Sequence, residues 1–170
     1  MASVRPPVAD AAVVIGYGNT LRGDDGAGPE VAAAVARLGL PGVRALAVPQ
    51  LTPELAEVLA GARLAVFVDA WMGPKAAGVD VLSVQAVGRP ASLGHTSDPG
   101  ALLALAEAIY GARPPAWIIR IPASRFPFGA GLSPGAHRGI AAALREVVRL
   151  VAPCGSGSGE AAPLLREDRS

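Results

Sequence analysis

The chain has 170 residues, of which 51% are hydrophobic and 17% charged. That is enough for one domain with a real core and too short to suggest two. Fifteen Lys and Arg residues against fourteen Asp and Glu leave a net charge of +1. The concentrated basic face that a nucleic-acid or membrane-surface partner requires is therefore not expected.

The single cysteine, Cys154, excludes an internal disulfide and any multi-thiolate zinc or iron–sulfur site. No apolar run approaches the roughly 18–20 residues of a membrane span, and the first residues lack a signal pattern. The expected location is the cytoplasm. Residues 1–10 read as a loose leader and residues 153–170, rich in Gly, Ser and charge, as a disordered tail. The expected domain is 11–152.

Within it, Ala11 to Tyr17 is a continuous apolar run closed by glycines, suited to a buried strand. A helix is expected from Pro29 to Leu40, and Val43 to Val48 is a second strand. Leu64 to Asp69 is a third, apolar up to its final carboxylate, as a central parallel strand would be. Val79 to Val84 and Ala116 to Ile121 are a fourth and fifth.

Three helices are announced by a capping residue followed by proline, at Thr52-Pro53, Asp98-Pro99 and Ser133-Pro134. The cap oxygen satisfies a free amide of the first turn, where proline fits because no intrahelical bond is donated there. Gly61 and Gly111 are expected to stop two of them. Strands alternating with helices predict an α/β fold, a three-layer α/β/α sandwich. Only nine residues separate Asp69 from Val79, fewer than the roughly ten to twelve of a helical crossover. The fourth strand is thus expected to run antiparallel, in a mixed, mainly parallel five-stranded sheet.

Ligands in such sheets bind beyond the carboxyl ends of the strands. There the first strand enters Gly16-Tyr17-Gly18-Asn19-Thr20-Leu21-Arg22-Gly23-Asp24-Asp25-Gly26-Ala27-Gly28, and the third ends on Asp69. A dinucleotide-binding turn is disfavoured. The third glycine of its pattern falls on Leu21, and adjacent carboxylates would repel a pyrophosphate. A carboxylate of this loop, Asp24 or Asp25, together with Asp69 and with His95, which lies just ahead of the Asp98-Pro99 helix, instead forms a candidate shell for a borderline cation with positions left open. The plainer reading is that the aspartates cap strand and helix ends and that His95 makes a local hydrogen bond. A further constraint is that the antiparallel strand leaves the chain at the far edge of the sheet. Ten residues, Gln85 to Gly94, must bring it back, and at about 3.3 Å each they can span about 33 Å.

Gly16-x-Gly-Asn-x-Leu-x-Gly-Asp-Asp-Gly-x-Gly28 resembles the N-terminal signature of the hydrogenase-maturation endopeptidases. The resemblance continues through Phe67-Val68-Asp69-Ala70, Gly94-His95, Ile109-Tyr110-Gly111 and Phe128-Gly129-x-Gly131-Leu132-Ser133, covering about residues 12–151. It implies a three-layer sandwich with a mixed five-stranded sheet. It also implies an endopeptidase that removes the C-terminal extension of the nickel–iron hydrogenase large-subunit precursor after nickel insertion. The metal-contacting and catalytic positions would be Asp25, Asp69 and His95, the first being glutamate in some members. Nickel would come with the substrate, so no tightly bound cofactor is expected. A non-proteolytic nickel-handling or assembly factor on the same fold is the alternative. Phe126-Pro127-Phe128 is a candidate groove lining or core cover, Trp71 and Met72 a candidate site wall or sheet seal, and His137 an expected surface residue.

Overall fold

A computed structural model describes residues 11–73, 78–87 and 98–152. The expected leader and tail lie outside the described residues. The elements in chain order are β1 (Ala12–Tyr17), α1 (Ala27–Leu38), β2 (Val43–Val48), α2 (Leu55–Ala60), β3 (Leu64–Trp71), β4 (Asp80–Val84), α3 (Pro99–Tyr110), β5 (Ala116–Pro122) and α4 (Pro134–Val151). The five strands form one sheet in the order β2-β1-β3-β5-β4. All neighbours pair in parallel except β4, which runs antiparallel to β5 with Asp80 opposite Arg120 and Val84 opposite Ala116. The short connection into β4 therefore has the consequence expected of it.

The sheet carries helices on both faces, because every inner strand is apolar on both sides. Val13, Ile15, Phe67 and Ile118 point to the face covered by α2 and α3, where Leu55, Leu59, Leu102 and Leu103 meet them. Val14, Val66, Val68, Ile119 and Ile121 point to the other face, against Val31 and Val35 of α1 and Ala143 and Val147 of α4. Each fully buried aliphatic or aromatic side chain of this kind contributes about 1.5–3 kcal/mol.

Two of the three cap-and-proline starts form as expected. The Asp98 carboxylate accepts from the Gly100 amide at 2.9 Å, and the Ser133 hydroxyl accepts from the Ala136 amide at 3.1 Å. The third does not. The carbonyls of Thr52 and Pro53 take the amides of Leu55 and Ala56 in a turn, and α2 starts at Leu55 without a side-chain cap. The first helix also begins earlier than expected, at Ala27. A 3-10 turn, Gly23–Gly26, runs directly into it, and Gly39 closes it in the left-handed conformation at φ 60°.

Two glycines of the first motif set the position of α1. A Cβ on Gly16 would collide with the Gly28 carbonyl, and one on Gly28 would come within 2.6 Å of the Tyr17 carbonyl oxygen. Only bare backbone lets the start of α1 press onto the ends of β1 and β3. This contact holds the Gly23–Gly26 turn over the carboxyl edge of the sheet.

Candidate functional site

The sheet edge at the C-terminal ends of β1 and β3 is where the expected carboxylates meet. Asp69 lies on β3, two residues after Phe67, and so shares the face that carries Ile15 and Tyr17 of β1. Asp25 lies in the 3-10 turn, half-buried, with its Oδ2 accepting the Asn19 amide at 2.8 Å. Its charge reaches Asp69. Both carboxylates therefore stand at the same edge of the sheet although 44 positions apart in sequence.

Burial pushes the Asp69 carboxyl up to about 6, and the Asp25 charge pushes in the same direction. The Tyr17 hydroxyl, the Ala70 amide and the Arg120 guanidinium favour the ionised form and offset part of the rise. Tyr17 is itself buried, and burial together with the Asp69 charge raises its hydroxyl well above the ordinary phenol value. It remains a neutral donor aimed at the carboxylate.

Tyr17 and Arg120 belong to this cluster although neither is a candidate on sequence grounds. Arg120 was legible only as a charge inside the apolar strand Ala-Trp-Ile-Ile-Arg-Ile-Pro. Pairing places it beside Asp69 on β3 and opposite Asp80 on β4. Its guanidinium lies 5.2 Å from the Trp71 ring centroid, a cation–π contact that holds both side chains beside the carboxylate. Trp71 is half-buried and folds back on Gly73, whereas Met72 is 71% exposed.

Asp24 is separated from Asp25 by one peptide bond and has a different role. It is fully buried. Its carboxylate accepts the amides of Ser124 at 2.9 Å, Arg125 at 3.0 Å and Ser133 at 2.7 Å, and the Ser133 hydroxyl at 3.0 Å. Burial alone would raise its pKa, but these donors outweigh burial and hold it below the ordinary carboxylate value. Asp24 is an anchor tying the turn after β1 to the β5–α4 connection.

That anchored connection carries Phe126, half-buried, and Phe128, 73% exposed, with the Arg22 guanidinium 5.5 Å from the Phe128 ring centroid. Phe128 is therefore not a core cover. His137 is exposed on α4, as expected.

His95 lies outside the described residues. The chain on either side of its segment is placed, however. The Val87 amide donates to the Gly100 carbonyl at 3.2 Å, so residue 87 lies against the start of α3. The next described residue is Asp98, whose charge reaches the Tyr17 hydroxyl. The described residues that flank His95, Val87 and Asp98, both lie at the N-terminal end of α3. The expected return loop, Gln85 to Gly94, lies mostly outside the described residues. Among the described residues no three His, Cys, Asp or Glu side chains come together as a metal shell, and no helix is long and apolar enough to cross a membrane.

No protein-family model and no curated protein sequence matches the chain. Solved structures do. The chain is similar to the [NiFe] hydrogenase maturation protease HybD from Thermococcus kodakarensis, with a TM-score of 0.66 and 23% identity over 83% of this chain and 99% of that one. The HycI maturation protease of Thermococcus kodakarensis KOD1 superposes with a TM-score of 0.64 at 22% identity, over 83% of this chain and 91% of that one. The hydrogenase maturating endopeptidase HybD from E. coli gives 0.62 at 22% identity, over 82% and 91%. The chain therefore has the fold of these maturation proteases, a mixed and mostly parallel five-stranded sheet between helices.

Proposed function

We propose that this chain is a hydrogenase-maturation endopeptidase, which removes the C-terminal extension of a nickel–iron hydrogenase large-subunit precursor after nickel insertion. The observation that carries the reading is the placement of Asp25 and Asp69 at the carboxyl edge of the sheet, where the Asp25 charge acts on the Asp69 carboxyl. The shared fold and the protease activity of its structural neighbours support it.

Two adjacent carboxylates, one of them desolvated enough to titrate near pH 6, lower their mutual repulsion when a cation lies between them. Nickel held by the precursor supplies that cation. Asp25 and Asp69 offer it oxygen and His95 an imidazole nitrogen, a set without thiolate that grips weakly until the substrate adds its own ligands. Nickel is thereby part of what is recognised, and an empty precursor offers the site nothing to hold. Tyr17 and Arg120 keep the Asp69 carboxylate oriented and its charge tolerated. The scissile bond, placed against this edge, is opened by water, activated by a carboxylate or attacking a carbonyl that the metal polarises.

The test is incubation of the pure protein with nickel-loaded and nickel-free precursor, followed by mass analysis of the precursor's C-terminus. Loss of the tail from the loaded form alone is expected. Equal cleavage of both forms by metal-free protein would replace the nickel mechanism with a self-contained carboxylate protease. Nickel transfer or retention without any cleavage would favour an assembly factor on the same fold.

A further inference from the structure

On the other face of the sheet from Asp69, α4 and the ends of β3 and β5 enclose a groove of about 540 Å³. That volume lies in the range of ligand sites. Gly135, Gly139 and Ala142 recur on one side of α4 and leave the floor without bulk. The Pro122–Ser124 stretch, following β5, forms the opposite wall. Two cations, Arg138 and Arg145, stand over this floor.

Neither arginine forms an ion pair among the described residues. The ion pairs of the described residues join Arg37 to Glu30, Arg113 to Glu107 and Arg149 to Glu146. Glu146, the one carboxylate on α4, is thus taken by Arg149, and no acidic side chain lines the groove among the described residues. Arg138 and Arg145 are both exposed. Seven residues apart on a helix, they are separated by about 10.5 Å along its axis. A peptide in polyproline conformation advances about 3.1 Å per residue with three residues per turn, so carboxylates three residues apart lie on one side and about 9 Å apart, close to that spacing.

We propose that this groove binds an acidic, extended peptide segment, with Arg138 and Arg145 each pairing with a carboxylate. Two exposed arginines about two turns apart over a floor of small residues fit a strand of polypeptide better than a compact ligand. The groove opens at the same carboxyl edge as the Asp25–Asp69 pair. Its wall residue Ser124 donates its amide to Asp24, the neighbour of Asp25. A peptide lying across the ends of β3 and β5 would pass from one to the other. That this peptide is the tail being removed rests on the function proposed above; the binding itself does not.

The probe is a fluorescein-labelled peptide, Gly-Glu-Gly-Gly-Glu-Gly with blocked ends, followed by anisotropy against the full chain at low salt. Binding is expected to weaken at least tenfold in R138A/R145A and to be largely retained in R138K/R145K. It should fall in A142L, which fills the floor without changing charge, and be lost when both glutamates of the peptide become glutamine. Thermal melts of the variants check that they are folded. Equal binding of the glutamine peptide, or unchanged binding by folded R138A/R145A, overturns the proposal. Precursor processing separates the two readings. Peptide binding by a protein that cleaves no precursor leaves the groove and removes the protease, whereas cleavage by a protein that ignores the peptide does the reverse. If both hold, R138A/R145A should raise KM for the precursor with kcat little changed.

Discussion

The Ser133 amide and hydroxyl both donate to the buried Asp24 carboxylate, at 2.7 and 3.0 Å, across 109 positions of sequence. Ser133 is at the same time the N-cap of α4, with its hydroxyl oxygen accepting the Ala136 amide. One aspartate thereby fixes the start of the last helix relative to the turn that carries Asp25. Replacing Asp24 with alanine leaves three amides and a hydroxyl without their acceptor and should cost about 3–5 kcal/mol, measured by urea unfolding. Asn should cost less, because one acceptor oxygen remains. The wild-type protein gains from Asp24 above the ordinary carboxylate pKa. That gain is lost as pH falls from there through the lower folded value.

Asp69 has the opposite pH dependence. Its carboxyl titrates at about 6 when folded against an ordinary value of 3.8, so the folded state binds the proton more tightly. Stability from this group is present below pH 4 and is lost as pH rises through 6, by at most about 3 kcal/mol. Asp69→Asn should therefore melt higher than wild type at pH 7.5, with the difference closing by pH 4. A wild-type melting temperature flat between pH 4 and 7, matched by the variant, would show that the carboxyl is solvated and not desolvated.

The same Asp69→Asn variant should fail to process precursor although it is folded, as should His95→Ala. Asparagine preserves shape and loses the charge that attracts a cation, and alanine removes the imidazole. Mass spectrometry of the incubated precursor measures this directly, and near-wild-type cleavage by either variant removes that residue from the site.

Gly16→Ala should prevent folding or cost more than about 3 kcal/mol, since its Cβ meets the Gly28 backbone carbonyl and neither β1 nor α1 can give way. Gly131→Ala is the control. No heavy atom lies within 4 Å of a Cβ there, and the effect should be within about 0.5 kcal/mol.

A chain stopped after Ala152 should keep its melting temperature. α4 reaches Val151, whose side chain is already buried against the α1 and α4 side of the sheet, and Pro153 prevents regular continuation. A loss of several degrees on truncation would mean that Leu164 and Leu165 contribute to the core.

Much of this architecture is a local property of the sequence. β1 and β3 were legible because a strand buried on both faces is apolar throughout. The starts of α3 and α4 were legible because Asp98 and Ser133 cap their own first turns. The antiparallel β4 followed from the length of a single connection. Asp69 was legible because a strand ends on it, and Asp25 came from the resemblance of the glycine-rich loop to a family signature. Tertiary structure decided the rest. Asp24 and Asp25 are chemically identical neighbours, yet one is a buried anchor and the other a half-buried partner of Asp69. The difference is made by donors about one hundred residues away. Tyr17 and Arg120 acquire their relation to Asp69 only through the strand order β1-β3-β5, and the Arg138–Arg145 groove exists only where α4 packs beside the end of β5. Such relations depend on pairing between distant segments, and periodicity, caps and turn residues carry information only about near ones.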